Sequence, residues 1–184
     1  RERSRVVTTV KKNILVTGRP GVGKTTLIER VLGRLTVDTG GFYTREILEG
    51  GRRVGFSIVG LHGDTGVLAR VDHDSPFRVG KYGVNREDLE RVGVRAIDEA
   101  LENSTLVIMD EIGRMELCSD AFQDAVTRAL DSGKPLLGTL QKRDNPFLDA
   151  IRARPDVELI VVNSANRECL VPVLLERLEE LLKP

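Results

Sequence analysis

Tryptophan is absent from the 184 residues, and cysteine, methionine and histidine occur only twice each. Two cysteines cannot build a disulfide framework, and neither Cys118 nor Cys169 stands in a metal-ligand spacing, so both read as buried, reduced thiols. His62 and His73 lack a ligand-like partner at short spacing and read as solvated loop residues. An excess of either charge is missing too, with 28 Lys and Arg against 28 Asp and Glu. No global basic field therefore favours nucleic acid or an anionic membrane as partner. No apolar run approaches the ~20 residues of a membrane helix, and no charged-then-apolar leader opens the sequence. The expectation is a cytoplasmic protein, monomeric or weakly oligomeric.

Forty per cent hydrophobic and 30% charged residues describe a soluble globular chain whose length fits one domain. Residues 1–12, basic at both ends around Val6, Val7 and Val10, read as an N-terminal extension, frayed or strand-like. Residues 13–184 read as a single domain, since no linker, repeat or low-complexity tract interrupts them.

The most informative stretch is Gly18-Arg19-Pro20-Gly21-Val22-Gly23-Lys24-Thr25-Thr26, which follows the apolar run Ile14-Leu15-Val16. It satisfies G-x-x-x-x-G-K-[ST], in which backbone N–H groups cradle a phosphate and a lysine reaches the β/γ-phosphates. The Thr25 hydroxyl is a candidate Mg²⁺ ligand. Leu27, Ile28, Val31, Leu32 and Leu35 recur at helical spacing, predicting a helix from Lys24 to Leu35 whose N-terminus faces the anion. Asp38-Thr39-Gly40-Gly41 reads as the connection that follows.

The period then changes. Phe42–Leu48 and Val54–Val59 flank a Gly50-Gly51 turn and predict an antiparallel hairpin, with a further strand from Gly66 to Val71. A hairpin here departs from the βαβ repeat and reads as an elaboration beside the phosphate site. Asn85 is a candidate N-cap for a helix to about Leu101.

Thr105-Leu106-Val107-Ile108-Met109 predicts a strand buried on both faces, with Asp110 and Glu111 at its carboxyl end. Ligands of open α/β sheets bind at such ends. With the phosphate loop upstream, Asp110 suits a Mg²⁺ position, and Glu111 a base that orients or deprotonates water. Gln141, just past the strand Leu136–Leu140, is a candidate γ-phosphate sensor. Val157–Val162 predicts the last strand, and leucines 174, 175, 178, 181 and 182 stripe a closing helix with Pro172 in its first turn.

GRPGVGKTT, GGFYTREI, RVGKYGV, VIMDEIGRMEL and NSANR occur in an order that resembles the small nucleoside-triphosphatase family. That family comprises the thermophilic-phosphatase proteins of archaea and bacteria and the cancer-related nucleoside-triphosphatase of vertebrates. The resemblance implies a three-layer, RecA-like α/β fold of the P-loop class, with a mostly parallel sheet carrying the hairpin after the first helix. It implies Mg²⁺-dependent hydrolysis of ATP, GTP and other nucleoside triphosphates to the diphosphate. Residue by residue, it implies nucleotide contacts at Gly18 through Thr26 and at Val107, Ile108, Met109, Asp110, Glu111, Ile112 and Gly113. Metal contacts fall on Thr25 and Asp110, and catalytic roles on Lys24, Glu111 and Arg114. Asn166 and Arg167 match a late pair near the base. Arg45 and Lys81 lie within matching segments.

Two rivals remain. A nucleotide or small-molecule kinase uses a similar loop, but Arg143, Arg152 and Arg154 are too scattered to form a lid. A GTPase switch finds D-x-x-G in Asp110-Glu111-Ile112-Gly113, yet no N-K-x-D reads guanine, and Asn163-Ser164-Ala165-Asn166 substitutes poorly.

Overall fold

The computed structural model describes residues 9–184, and Val6 and Val7 of the expected extension lie outside them. Nine strands form one sheet: β1 (Asn13–Thr17), β2 (Thr39–Glu49), β3 (Arg52–Gly60), β4 (Thr65–Arg70), β5 (Arg78–Val79), β6 (Tyr82–Val84), β7 (Leu106–Ile112), β8 (Leu136–Leu140) and β9 (Val157–Val161). Their spatial order is β5-β6-β4-β3-β2-β7-β8-β1-β9. Pairing is parallel from β2 through β7, β8 and β1 to β9, and antiparallel from β2 outward through β3, β4 and β6 to β5.

Side-chain alternation explains why the parallel strands read as continuous apolar runs. Ile14 and Val16 face one core while Leu15 faces the other, and Leu106 and Ile108 likewise oppose Val107 and Met109. A strand covered on both faces buries both sets. On one side lie α1 (Lys24–Leu32) and the closing helix α6 (Leu170–Leu181), which contribute Leu27, Ile28, Val31, Leu174 and Leu178. On the other lie the helical run 86–103 and α4 (Asp120–Asp131), where Phe122 meets Phe42 edge-on at 5.5 Å. The run 86–103 comprises α2 (Arg86–Asp88), a wide π turn (Leu89–Val94) and α3 (Arg95–Asn103). The short α5 (Pro146–Arg152) adds Leu148 and Ile151 to that second core.

The cap expected at Asn85 forms, and two further caps accompany it. Asn85 Oδ1 accepts from the Asp88 N–H at 3.0 Å, Ser119 Oγ from Phe122, and Asn145 Oδ1 from Phe147 and Leu148. Three expectations are corrected. The first helix ends at Leu32 rather than Leu35, because Gly33 closes it and the next two residues turn tightly. Thr39-Gly40-Gly41 is not a connection but the start of β2, paired with Leu106, Val107 and Ile108. Cys169 is exposed, and Cys118 is only half-buried.

Candidate active site

The parallel strands bring their carboxyl ends to one edge. β8 lies between β7 and β1, so the loop after β1 and the acids ending β7 converge across it. The loop runs from Gly18 to Gly23 and enters α1, with Gly23 as N-cap at φ 104°, a left-handed conformation that only glycine adopts cheaply. A Cβ on Gly21 would meet nothing within 4 Å, so the concave face of the loop opens into free space. Lys24, the first residue of α1, is buried and folds back to donate to the Gly18 carbonyl at 3.1 Å. Its Nζ also stands 3.3 Å from Glu111 Oε2.

Asp110 is 3% exposed and accepts from Thr139 Oγ1 at 2.6 Å, and Thr25 lines the same space beside it. Burial pushes the Asp110 carboxyl up from its ordinary range, against the pull of the two hydroxyls and Lys24. Burial likewise raises Glu111, with Lys24 opposing. The Asp110–Glu111 peptide bond is cis. Beyond the pair, Gly113 N–H donates to Glu116 Oε2 at 3.1 Å, and Arg114 N–H donates to Gln141 Oε1 at 2.9 Å. Glu116 is pushed up to about 8, first by burial and then by the Glu111 charge beside it.

A hydroxyl and a buried carboxylate lining one space suit a hard divalent cation that keeps most of its ligands as water. Thr25 and Asp110 would hold it. No cluster of three or more His, Cys, Asp or Glu occurs among the described residues, so a site built wholly of such side chains is not offered there.

The loop, Lys24, Thr25, Asp110, Glu111, Arg114 and Gln141 line one end of a cleft of about 670 Å³. Its other wall is the antiparallel extension: Thr44, Arg45 and Glu46 of β2, Arg53 and Phe56 of β3, and Tyr82 of β6. A separate groove of about 200 Å³ lies on the far side of the loop, between Gly23, Thr26, Arg30, Arg167 and Glu168.

A phosphate cradle facing a buried acid pair across a single strand is shared by many proteins; what decides the family is the whole chain. The model of the family described as "NTPase" matches residues 13–175. This chain belongs to the NTPase family. A protein of Thermotoga maritima named nucleoside-triphosphatase THEP1 is 49% identical over 166 residues, covering 90% of this chain and 95% of its own. The THEP1 of Thermofilum pendens is 45% identical over 177 residues, covering 93% and 97%. Among solved structures, THEP1 from the hyperthermophile Aquifex aeolicus aligns with a TM-score of 0.84 at 34% identity, covering 91% of this chain and 99% of that one. A human cancer-related nucleoside triphosphatase aligns at 0.77 and 36% identity, covering 91% and 97%.

Within this NTPase frame, most expected residues meet. Gly18, Pro20, Gly21, Gly23, Lys24, Thr25, Thr26, Asp110, Glu111, Arg114 and Gln141 line the cleft, and so does Arg45. Val107, Ile108 and Met109 are walled off in the two cores at 1% exposure or less, so they carry Asp110 rather than touch a ligand. Ile112 is equally buried, and Gly113 serves through its N–H. Arg19 is exposed on the loop and Val22 packs on the α1–α6 core; neither lines the cleft. Arg167 approaches Gly23, its Cδ 3.8 Å from where a Cβ would stand. Asn166 braces the loop after β9: its Oδ1 accepts from Asn163 N–H and its Nδ2 donates to the Val161 carbonyl.

Other residues in or behind the cleft carry no sequence signal of a role. Thr139 is one threonine in an apolar strand, and its bond to Asp110 appears only when β8 lies beside β7. Arg53 and Phe56 belong to no motif. Tyr82 and Glu46 lie inside segments of the family resemblance, which marked the stretch but not the side chain.

Proposed function

We propose that this chain hydrolyses nucleoside triphosphates to the diphosphate and phosphate, with Mg²⁺, by in-line attack of water on the γ-phosphate. The observation that carries the reading is the 3.3 Å approach of Lys24 to Glu111, with Thr25 and Asp110 lining the same cleft. The cradle and the acid pair thereby address one point. Residues 13–184 act as one catalytic domain in this reading.

The loop N–H groups from Gly18 to Thr25 bind the phosphate tail, helped by the positive end of α1. An incoming triphosphate competes with Glu111 for Lys24. As Lys24 turns to the β/γ-oxygens, the Glu111 carboxylate is left to orient a water and accept its proton. Thr25 and Asp110 would hold Mg²⁺, which would supply charge to neutralise the phosphate tail. Arg114, its backbone pinned by Gln141, presents its guanidinium to the charge that grows during the displacement. Base selection is weak in this reading, because Asn163 and Asn166 are committed to their own loop.

Glu111→Gln keeps the shape and removes the base. The expected result is unchanged nucleotide affinity and a turnover reduced roughly 10²–10⁴-fold, read as phosphate release under saturating ATP with Mg²⁺. Near-normal turnover would remove Glu111 from the mechanism. Lys24→Ala is expected to lose productive nucleotide binding altogether, as judged by equilibrium titration with a labelled analogue.

A further inference from the structure

A triphosphate tail in the loop fills only one end of a cleft of about 670 Å³, a size that elsewhere accepts a whole drug-sized ligand. The direction of the tail follows from Lys24, which reaches the β/γ-phosphates and stands beside Glu111 on β7. The terminal phosphate therefore points toward β7 and β2. Ribose and base leave the other way, toward the groove of Gly23, Thr26, Arg30 and Arg167 on the β9 side. The outer half of the cleft, from Glu111 to the β3–β6 wall, is left for something else.

That wall is organised. Phe56 and Tyr82 meet edge-on with centroids 5.3 Å apart. The Arg53 guanidinium lies 5.1 Å over the Phe56 ring, donates Nε–H to Tyr82 Oη at 3.0 Å, and donates Nη1–H to Glu46 Oε1 at 2.9 Å. Tyr82 is 7% exposed, so the ring is fixed while its hydroxyl is held toward the arginine. Arg45 stacks on Tyr43 at 4.7 Å at the margin. The half-buried Phe56 ring, the Arg53 guanidinium layered on it and the Glu46 carboxylate match a planar heteroaromatic ring that stacks on this layer and pairs through donors and acceptors on its edge.

We propose that this outer half binds a nucleoside as a second substrate, and that a hydroxyl of the nucleoside, in place of water, receives the γ-phosphoryl group. The proposal rests on the hydrolase reading above, since it uses the same cradle and the same base. The nucleoside oxygen bonds to the γ-phosphorus while the bond from that phosphorus to the β–γ bridging oxygen breaks. The diphosphate departs with the electron pair, and the hydroxyl proton passes to the Glu111 carboxylate. Water in the same volume gives free phosphate instead.

The experiment incubates the full chain with γ-labelled ATP and Mg²⁺, alone and with each common ribo- and deoxyribonucleoside, and separates free phosphate from nucleoside monophosphate. The expected result is label in the monophosphate of at least one nucleoside, formed at least tenfold faster than free phosphate appears without it. Phe56→Ala is expected to lower kcat/KM for that nucleoside roughly tenfold to a hundredfold, the worth of one base–aromatic stack. Arg53→Lys, which keeps the charge and loses the fork, is expected to raise KM for the nucleoside more than it lowers kcat. Free phosphate as the sole product with every nucleoside present overturns the proposal, whether or not a nucleoside binds, and leaves the hydrolase reading standing. Absence of any product from ATP, with or without nucleoside, overturns both.

Discussion

Glu116 is a carboxyl that is 4% exposed and, at about 8, stays protonated well above the ordinary glutamate value of 4.5. The unfolded chain releases that proton near 4.5 and the folded chain holds it, so the folded state binds more protons between those values. Stability from this group is complete below about pH 4.5 and falls as pH rises toward 8, by about 1.4 kcal/mol per pH unit. Glutamine at the same place keeps an oxygen for the Gly113 N–H and cannot titrate. Glu116→Gln is therefore expected to gain on the wild type between pH 5 and 8 and to match or trail it near pH 4. Denaturant melts across that range check it, and a difference that does not vary with pH removes the buried proton from the account. The phosphate loop and the acid pair were legible at this scale because their chemistry needs fixed residue types at fixed spacing. Glu116 and Thr139 were not, since a lone acid or threonine acquires meaning only from what is packed against it.

The start of β2 shows how an element can be misread. Thr39-Gly40-Gly41 has the composition of a turn, yet these residues pair with β7 because there is no room for side chains. A Cβ on Gly40 would strike Ser104 and Ala100, and one on Gly41 would strike the Ile108 carbonyl, with φ at 116° besides. Gly41→Ala is expected to destabilise the fold by about 2–4 kcal/mol, from combined backbone strain and overpacking, read as a lowered denaturation midpoint at unchanged m-value. A loss below 0.5 kcal/mol would show that the strand relaxes freely there. The glycine signal was present in the sequence, but composition alone does not separate a turn from a close approach. The wide turn at Leu89–Val94 was illegible for a related reason. It lets Gly93 sit where a Cβ would come within 2.9 Å of Ile58 Cδ1, a contact made across the sheet rather than along the helix. By contrast, Asn85 was legible as a cap because a cap is a local hydrogen bond, and Ser119 and Asn145 act in the same way. Ser119→Ala is expected to cost about 0.5–2 kcal/mol by the same melts, the more so because Ser119 Oγ also donates to Glu90 at 2.8 Å.

Across the whole molecule, four of the five parallel strands were readable from apolar runs, whereas the strand order was not, because neighbours in the sheet are far apart in sequence. That order puts the loop after β1 and the acids of β7 on one edge, with β8 between them. A ligand that binds there binds the folded state alone. MgADP at a hundredfold excess over its dissociation constant is expected to add about 2.7 kcal/mol, or roughly 5–10 °C in Tm for a chain of this size. The shift should vanish in Lys24→Ala, and an equal shift in that variant would place the nucleotide elsewhere.

β2 pairs with β7 through its first residues and with β3 through the rest, so both walls of the cleft grow from one continuous sheet. Two lobes joined by a hinge could swing apart; a strand common to both sides ties them together at nearly constant separation. Entry and exit then depend on the tips of turns such as Gly80-Lys81 rather than on a rocking motion of halves, and a molecule that fits the mouth meets a chamber whose width is already set.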